Sequence, residues 1–240
     1  MANELLLLFD IDGTLLSGAT DAHRDAMHEA LRAVYSIDPS RALRRPLAPA
    51  GRTDPEIARA ILLDAGVSAQ RIDDRAEDLR EECCRAYVRL CPRDLTRTVL
   101  PGVPELLGWL SSRQGIKLGL LTGNYEMVAR LKLARAGIGR RFPSGQGAFG
   151  SDAEDRVALP AIARRRAGTT GAPHPREHTI VIGDTPRDIA CARADDVRCF
   201  AVSSGPFAAG ELGAADAVVP DASALRELLE AELSRASPTS

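Results

Sequence analysis

Five apolar residues in a row, Leu5-Leu6-Leu7-Leu8-Phe9, end abruptly on Asp10-Ile11-Asp12-Gly13-Thr14-Leu15. A run of that length without polar alternation reads as a strand with both faces buried. Such strands belong to parallel sheets covered by helices on both sides. Two carboxylates then stand where the strand ends, and Gly13 lets the backbone turn tightly behind them. In open parallel sheets, ligands gather outside the carboxyl ends of the strands. The opening stretch therefore delivers two acids to the edge where such folds do chemistry. Asp, Gly and Thr are also ordinary turn residues, so the stretch does not decide function by itself.

Residues 18–94 read as helical throughout, with helices over 20–35, 54–65 and 69–90. Asp54 before Pro55 is expected to cap the second of these. From Val99 onward the pattern alternates. Strands are expected at 117–121, 146–149, 179–182, 198–202 and 216–219, with helices at 103–113, 126–136, 155–167, 186–194 and 223–234. Alternation with short loops predicts a Rossmann-like doubly wound parallel sheet, an α/β core made from 1–17 and 95–240. An all-α unit, 18–94, interrupts it just after the first strand. The acids then lie beside the points where the insertion leaves and re-enters, which is how a lid is mounted over a site. The tail 236–240 is expected to be disordered.

The size, 240 residues, suits one α/β domain with an inserted subdomain. A net charge of −2 argues against a nucleic-acid binder, which needs a basic excess. The first apolar run is too short for a signal peptide and has no basic flank. No segment approaches the roughly 20 apolar residues of a membrane span, so a cytoplasmic protein is expected. Cys83, Cys84, Cys91, Cys191 and Cys199 lack metal-ligand spacing and read as reduced, mostly buried thiols. His23 and His28 are five apart and share no helical face, and Pro175 breaks any helix that could align His174 with His178. Arg164, Arg165 and Arg166 fall in the last turn of a helix, where positive charge suits the dipole.

Three strand ends converge at one sheet edge: Asp10 with Asp12, Thr122-Gly123-Asn124, and Gly183-Asp184-Thr185-Pro186-Arg187-Asp188. Two unit charges about 4 Å apart cost on the order of 4 kcal/mol at an effective dielectric near 20. Four gathered carboxylates therefore call for a hard divalent cation, and all-oxygen ligands favour Mg²⁺. Asp188 has a second reading, as an acid well placed in the first turn of a helix. Thr122, Gly123 and Asn124 join a strand end to a helix N-terminus, a natural anion site. Arg52, in Gly51-Arg52-Thr53-Asp54, is either a solvated charge or an anion contact. Arg41, Arg44 and Arg45 carry the same ambiguity.

These three motifs resemble motifs one, two and four of the haloacid dehalogenase superfamily, and the helical insertion resembles its cap of the first type. Pro101-Gly102-Val103 before a helix, together with Gly51-Arg52-Thr53-Asp54, is most similar to the phosphoglycolate phosphatase branch. The resemblance implies that Asp10 attacks phosphorus and becomes an aspartyl-phosphate, and that Asp12 serves as acid and then base. It implies Mg²⁺ on Asp10, the backbone carbonyl of Asp12, and Asp184, with Asp188 as a further ligand or a neighbour of one. Thr122 and the amides of Gly123 and Asn124 would hold phosphate oxygens. The third motif usually offers a Lys. Lys117 and Lys132 are the only lysines; one begins a strand and the other lies well into a helix, so both are set aside. Arg156, after Gly150-Ser151-Asp152-Ala153-Glu154-Asp155, is the candidate, with a surface Arg at a helix start as its plain alternative.

The expected activity is a Mg²⁺-dependent phosphatase for a small phosphorylated metabolite, phosphoglycolate-like. A β-phosphoglucomutase-like phosphoryl transferase and a non-catalytic binding protein on the same fold are the alternatives. A dehalogenase is disfavoured, because an acid/base carboxylate at Asp12 suits an alkoxide leaving group, not a halide. Oligomeric state is not legible.

Overall fold

The computed structural model describes residues 4–39 and 48–236. Arg41, Arg44, Arg45 and the tail beyond Ala236 lie outside the described residues.

The core is a six-stranded, all-parallel sheet in the order β3-β2-β1-β4-β5-β6. Its strands are β1 (Leu5–Phe9), β2 (Ile116–Thr122), β3 (Ala148–Phe149), β4 (Thr179–Gly183), β5 (Arg198–Val202) and β6 (Ala217–Val219). β1 is central and wholly buried. Leu5, Leu7 and Phe9 pack into one apolar cluster and Leu6 and Leu8 into the other, so its unbroken apolar run serves both faces. The chain winds outward from β1 through β2 to β3, then returns to the other side of β1 with β4. The order reverses between β2, β1 and β4, so a crevice opens at their carboxyl ends. β3 is shorter than the sequence suggests, two residues on the sheet edge.

Around the sheet lie α5 (Val103–Ser111), α6 (Glu126–Arg135), α7 (Leu159–Ala167), α8 (Pro186–Ala194) and α9 (Ala222–Ala236). Between β1 and α5 the described chain is helical: α1 (Asp21–Tyr35), α2 (Asp54–Asp64), α3 (Ala69–Asp74) and α4 (Ala76–Leu90). The links into and out of this segment pair with each other. Leu16 and Val99 form an antiparallel bridge, Ser17 N–H donates to Thr98 O, and Leu100 N–H donates to Leu15 O.

Two local expectations need correction. The single helix expected over 69–90 breaks at Arg75, whose backbone leaves helical geometry at φ −118°, ψ 13°. Its guanidinium reaches Val34 O at the end of α1, so tertiary contact overrides a continuous apolar stripe. Asp54 does not cap α2. Thr53 does, its hydroxyl accepting from Glu56 N–H. Asp54 is the first helical residue, and its carboxylate is buried and used elsewhere. Arg164 does fall in the last turn of α7, as expected. It is buried and forks onto Asp195 at 2.6 and 2.9 Å. The five cysteines are free thiols, four of them buried and Cys84 half-buried. Among the described residues no helix is long and apolar enough to cross a membrane.

Candidate active site

β1 carries Asp10 to the sheet edge, where its N–H donates to Ile182 O of β4. The chain then turns at Gly13 (φ +93°), and a side chain there would meet Asp184 within 2.1 Å. Positive φ and close approach both require glycine at that position. The turn brings Thr14 Oγ1 to Asp184 Oδ1 at 3.0 Å. Asp184 stands at the end of β4 and Asp188 one turn into α8. Asp10, Asp184 and Asp188 are all buried, with carboxylate oxygens within 4.8 Å of one another.

Three buried acids this close disturb one another. Burial pushes the Asp10 carboxyl up to about 7, with Asp188 and Asp12 adding repulsion and Arg156 opposing them. Burial likewise pushes Asp184 up to about 8, helped by Asp10 and Asp188. Asp184 Oδ2 is buried without a hydrogen-bond partner among the described residues. It lies against Gly13 and Gly205, where a Cβ would come within 2.1 and 1.7 Å of it. An orphaned carboxylate oxygen facing two further carboxylates fits a hard divalent cation, because such an ion would complete its coordination and relieve the repulsion.

Arg156 belongs to this cluster. It is 4% exposed and sits in a single 3₁₀ turn (Arg156–Ala158) before α7. Its Nη2 lies 3.2 Å from Asp10 Oδ1 and donates to Asp188 Oδ1 and Leu121 O. The plain alternative of a surface arginine is therefore excluded. Burial works against its charge, but Asp188 and Asp10 outweigh that and hold the guanidinium firmly protonated. Asp188 has two tasks at once. Its Oδ2 accepts from Thr185 N–H and Oγ1 in a capping box that starts α8, and its Oδ1 holds Arg156.

Asp12 points to a different partner. Lys132, on α6 and wholly buried, places Nζ 2.9 Å from Asp12 Oδ1 and 2.7 Å from Oδ2. The same ammonium donates to Asn124 Oδ1 at 2.9 Å, and Asn124 Nδ2 donates to Asp12 Oδ2 at 3.2 Å. Burial would raise the Asp12 carboxyl, but the charge and hydrogen bonds of Lys132 prevail and hold it below the usual range. The sequence reading set Lys132 aside as the third-motif cation, and Arg156 does stand against Asp10 instead; what that reading missed is the place of Lys132 on Asp12. The signal was present: a Lys in line with the buried Val128, Ala129 and Leu133 of α6.

Thr122, Gly123 and Asn124 form the wall between Asp10 and α6. Thr122 is buried, and its hydroxyl accepts from Asn124 N–H at 3.3 Å. The sequence reading assigned Asn124 by its amide; its side chain is what meets Asp12 and Lys132. Arg52 lines the crevice, but its guanidinium is engaged by Glu56 and Ala48 O.

The crevice is a cavity of about 630 Å³. Asp10, Asp12, Thr122, Asn124, Arg156 and Asp184 form its floor, and His23, Met27, Ile57 and Ile61 of the helical segment stand opposite. His23 Nε2 lies 3.0 Å from Asp54 Oδ2, which also accepts from Tyr125 N–H. Neither His23 nor His28 belongs to a metal cluster among the described residues.

Sequence comparison agrees with this geometry. A phosphoglycolate phosphatase from Rhodospirillum rubrum is 32% identical over 203 residues, 83% of this chain and 79% of that protein. One from Pseudomonas fluorescens is 29% identical over 203 residues, 83% of this chain and 70% of that protein. A hydrolase from Pseudomonas syringae superposes with a TM-score of 0.64 at 25% identity, covering 95% of this chain and 98% of that one. A family model described as haloacid dehalogenase-like hydrolase matches residues 5–194, from the first buried strand through the helix that follows Asp184, and the chain belongs to that family.

Proposed function

We propose that the protein is a Mg²⁺-dependent phosphatase of small phosphate monoesters, working through an aspartyl-phosphate on Asp10, with residues 18–94 serving as a cap over a core of 1–17 and 95–240. The observation that carries this is the buried cluster of Asp10, Asp184 and Asp188, braced by Arg156 at the mouth of the sheet crevice. Asp10, Asp184 and the backbone of Asp12 would hold the cation, with Asp188 beside them. Bound there, Mg²⁺ supplies positive charge against which an anionic carboxylate and an anionic phosphate can approach.

The chain's own groups supply the rest. Arg156 engages Asp10 Oδ1, which leaves Oδ2 for the attack on phosphorus. The P–O bond to the alcohol breaks as the bond to Oδ2 forms. Asp12 is held below the usual carboxylate range by Lys132, so it first takes up a proton from the crevice, to which it is 23% exposed, and then hands it to the leaving oxygen. It takes one back from the water that hydrolyses the acyl phosphate. Thr122 and Gly123 line the position where phosphate oxygens would sit, before α6. Met27, Ile57 and Ile61 of the helical segment line the crevice across from Asp10, where the leaving group would sit. The relatives named phosphoglycolate phosphatase support a phosphoglycolate-like ester as substrate. Arg52 would meet its carboxylate only by leaving Glu56.

The test is phosphate release from a panel of small phosphate monoesters, with and without Mg²⁺, in the wild type and in Asp10→Asn. Turnover should require the divalent ion and fall to background in Asp10→Asn. Full turnover in Asp10→Asn, or hydrolysis untouched by a chelator, would sink the proposal.

A further inference from the structure

We propose that Lys132 is a positioning residue for Asp12: it fixes the proton-transferring carboxylate in the crevice through a closed clamp with Asn124. The inference rests on the acid–base role given to Asp12 above. An ammonium has three donors, and here each has an acceptor: Asp12 Oδ1, Asp12 Oδ2 and Asn124 Oδ1. Asn124 Nδ2 closes the triangle onto Asp12 Oδ2. The carboxylate is therefore gripped at both oxygens, and the ammonium that grips it cannot turn freely.

The placement has no packing rationale. α6 buries Val128, Ala129 and Leu133 beside Lys132, so an apolar side chain would fill the same slot. Removing a charge from water is costly unless well-placed partners compensate. Lys132 is 0% exposed, and among the described residues its hydrogen bonds go to Asp12 and Asn124. Its target is not buried to the same degree: the Asp12 side chain is 23% exposed. A carboxylate at a cavity wall has several rotamers open to it, and Lys132 selects one. Among the described residues Arg156 pairs with Asp10 and Asp188, whereas Lys132 pairs with Asp12. The two cations thus divide the acids between them, one for the nucleophile and one for the proton carrier.

The test is a double-mutant cycle between Lys132→Met and Asp12→Asn. Turnover is measured on an alkyl phosphate, whose leaving group needs a proton, and on para-nitrophenyl phosphate, whose leaving group needs it less. Lys132→Met should lower kcat on the alkyl ester on the order of 10- to 100-fold, part of the 10²–10⁴ that a positioned acid–base contributes. KM should hardly move, and the aryl ester should lose less. In the Asp12→Asn background the same substitution should change kcat by no more than about threefold, because its target is already disabled. Losses that multiply in full, or that fall equally on both esters, would overturn the proposal and leave the role of Asp12 standing. Should Lys132→Met fail to fold, Lys132→Gln keeps a neutral donor and is read through the same cycle. Undiminished alkyl-ester turnover in Asp12→Asn alone would overturn the acid–base reading, and this inference with it.

Discussion

Arg156 and Lys132 show how much of a catalytic centre a sequence reveals one residue at a time. Arg156 was legible because it follows a loop in the place where a cation was expected, and the chain has almost no lysine to compete. Lys132 was not, because position along a helix was mistaken for distance from the site. Two turns from Asn124 are about 11 Å of rise. Helical side chains lean back toward the N-terminus, and a Lys spans the remainder. The same geometry makes Arg156 testable. Its Nη2 bridges Asp10 and Asp188, whereas a Lys offers a compact point charge with no fork. Arg156→Lys should keep kcat within about one order of magnitude. Arg156→Ala should lose far more and also destabilise the fold, since removing one partner of a buried pair costs about 3–5 kcal/mol. Phosphate release and urea denaturation check the two halves, and full activity in Arg156→Ala would place the bracing charge elsewhere.

At the scale of elements, the decisive join lies between the N-terminus of α2 and the turn after β2. Asp54 N–H donates to Gly123 O at 2.8 Å, the Asp54 carboxylate accepts Tyr125 N–H at 2.7 Å, and the Thr53 hydroxyl donates to Glu154 O. A Cβ on Gly123 would stand 2.1 Å from Arg52 O. The helical segment is thus stitched to the loop proposed to hold phosphate. The sequence read Asp54 as a helix cap and Arg52 as a solvated charge or an anion contact, and did not show this join, because a capping motif looks the same whether its free groups face water or another loop. The break at Arg75 was hidden for a related reason: periodicity reports the face of a helix, not its continuity. Gly123→Ala should cost about 1–3 kcal/mol by forcing the two backbones apart. Thr53→Ala should cost about 1 kcal/mol through its lost cap. Because both act on one join, the double variant should lose clearly less than the sum. Urea denaturation measures this, and strict additivity would mean the two residues do not share a join.

At the scale of the molecule, the doubly wound sheet was legible because every strand except the two-residue β3 carries a mainly apolar stretch of three or more residues bounded by turn residues. The rule that ligands gather at the carboxyl ends of parallel strands then put the acids at one sheet edge. What no sequence pattern carries is the electrostatic state of that crevice, which depends on burial. Asp10 and Asp184 are raised to about 7 and about 8, both above their ordinary 3.8. Between about pH 4 and about pH 8 these two acids therefore bind more protons in the metal-free folded chain than in the unfolded one. Stability rises with pH only where the unfolded state binds more protons, so the contribution of these two acids should fall as pH rises. A divalent ion binds the ionised carboxylates and displaces those protons. Under the proposed function, the gain in Tm on adding Mg²⁺ should be small near pH 6 and grow toward pH 8. At 100-fold excess over Kd the gain corresponds to about 2.7 kcal/mol. Asp184→Asn should remove most of the Mg²⁺-dependent gain and flatten the metal-free slope, because it deletes one of the two raised acids. Calorimetric melts across that pH range, with Mg²⁺ or with chelator, decide it: a Mg²⁺ gain that shrinks as pH rises would mean that the buried carboxylates are not where the ion binds.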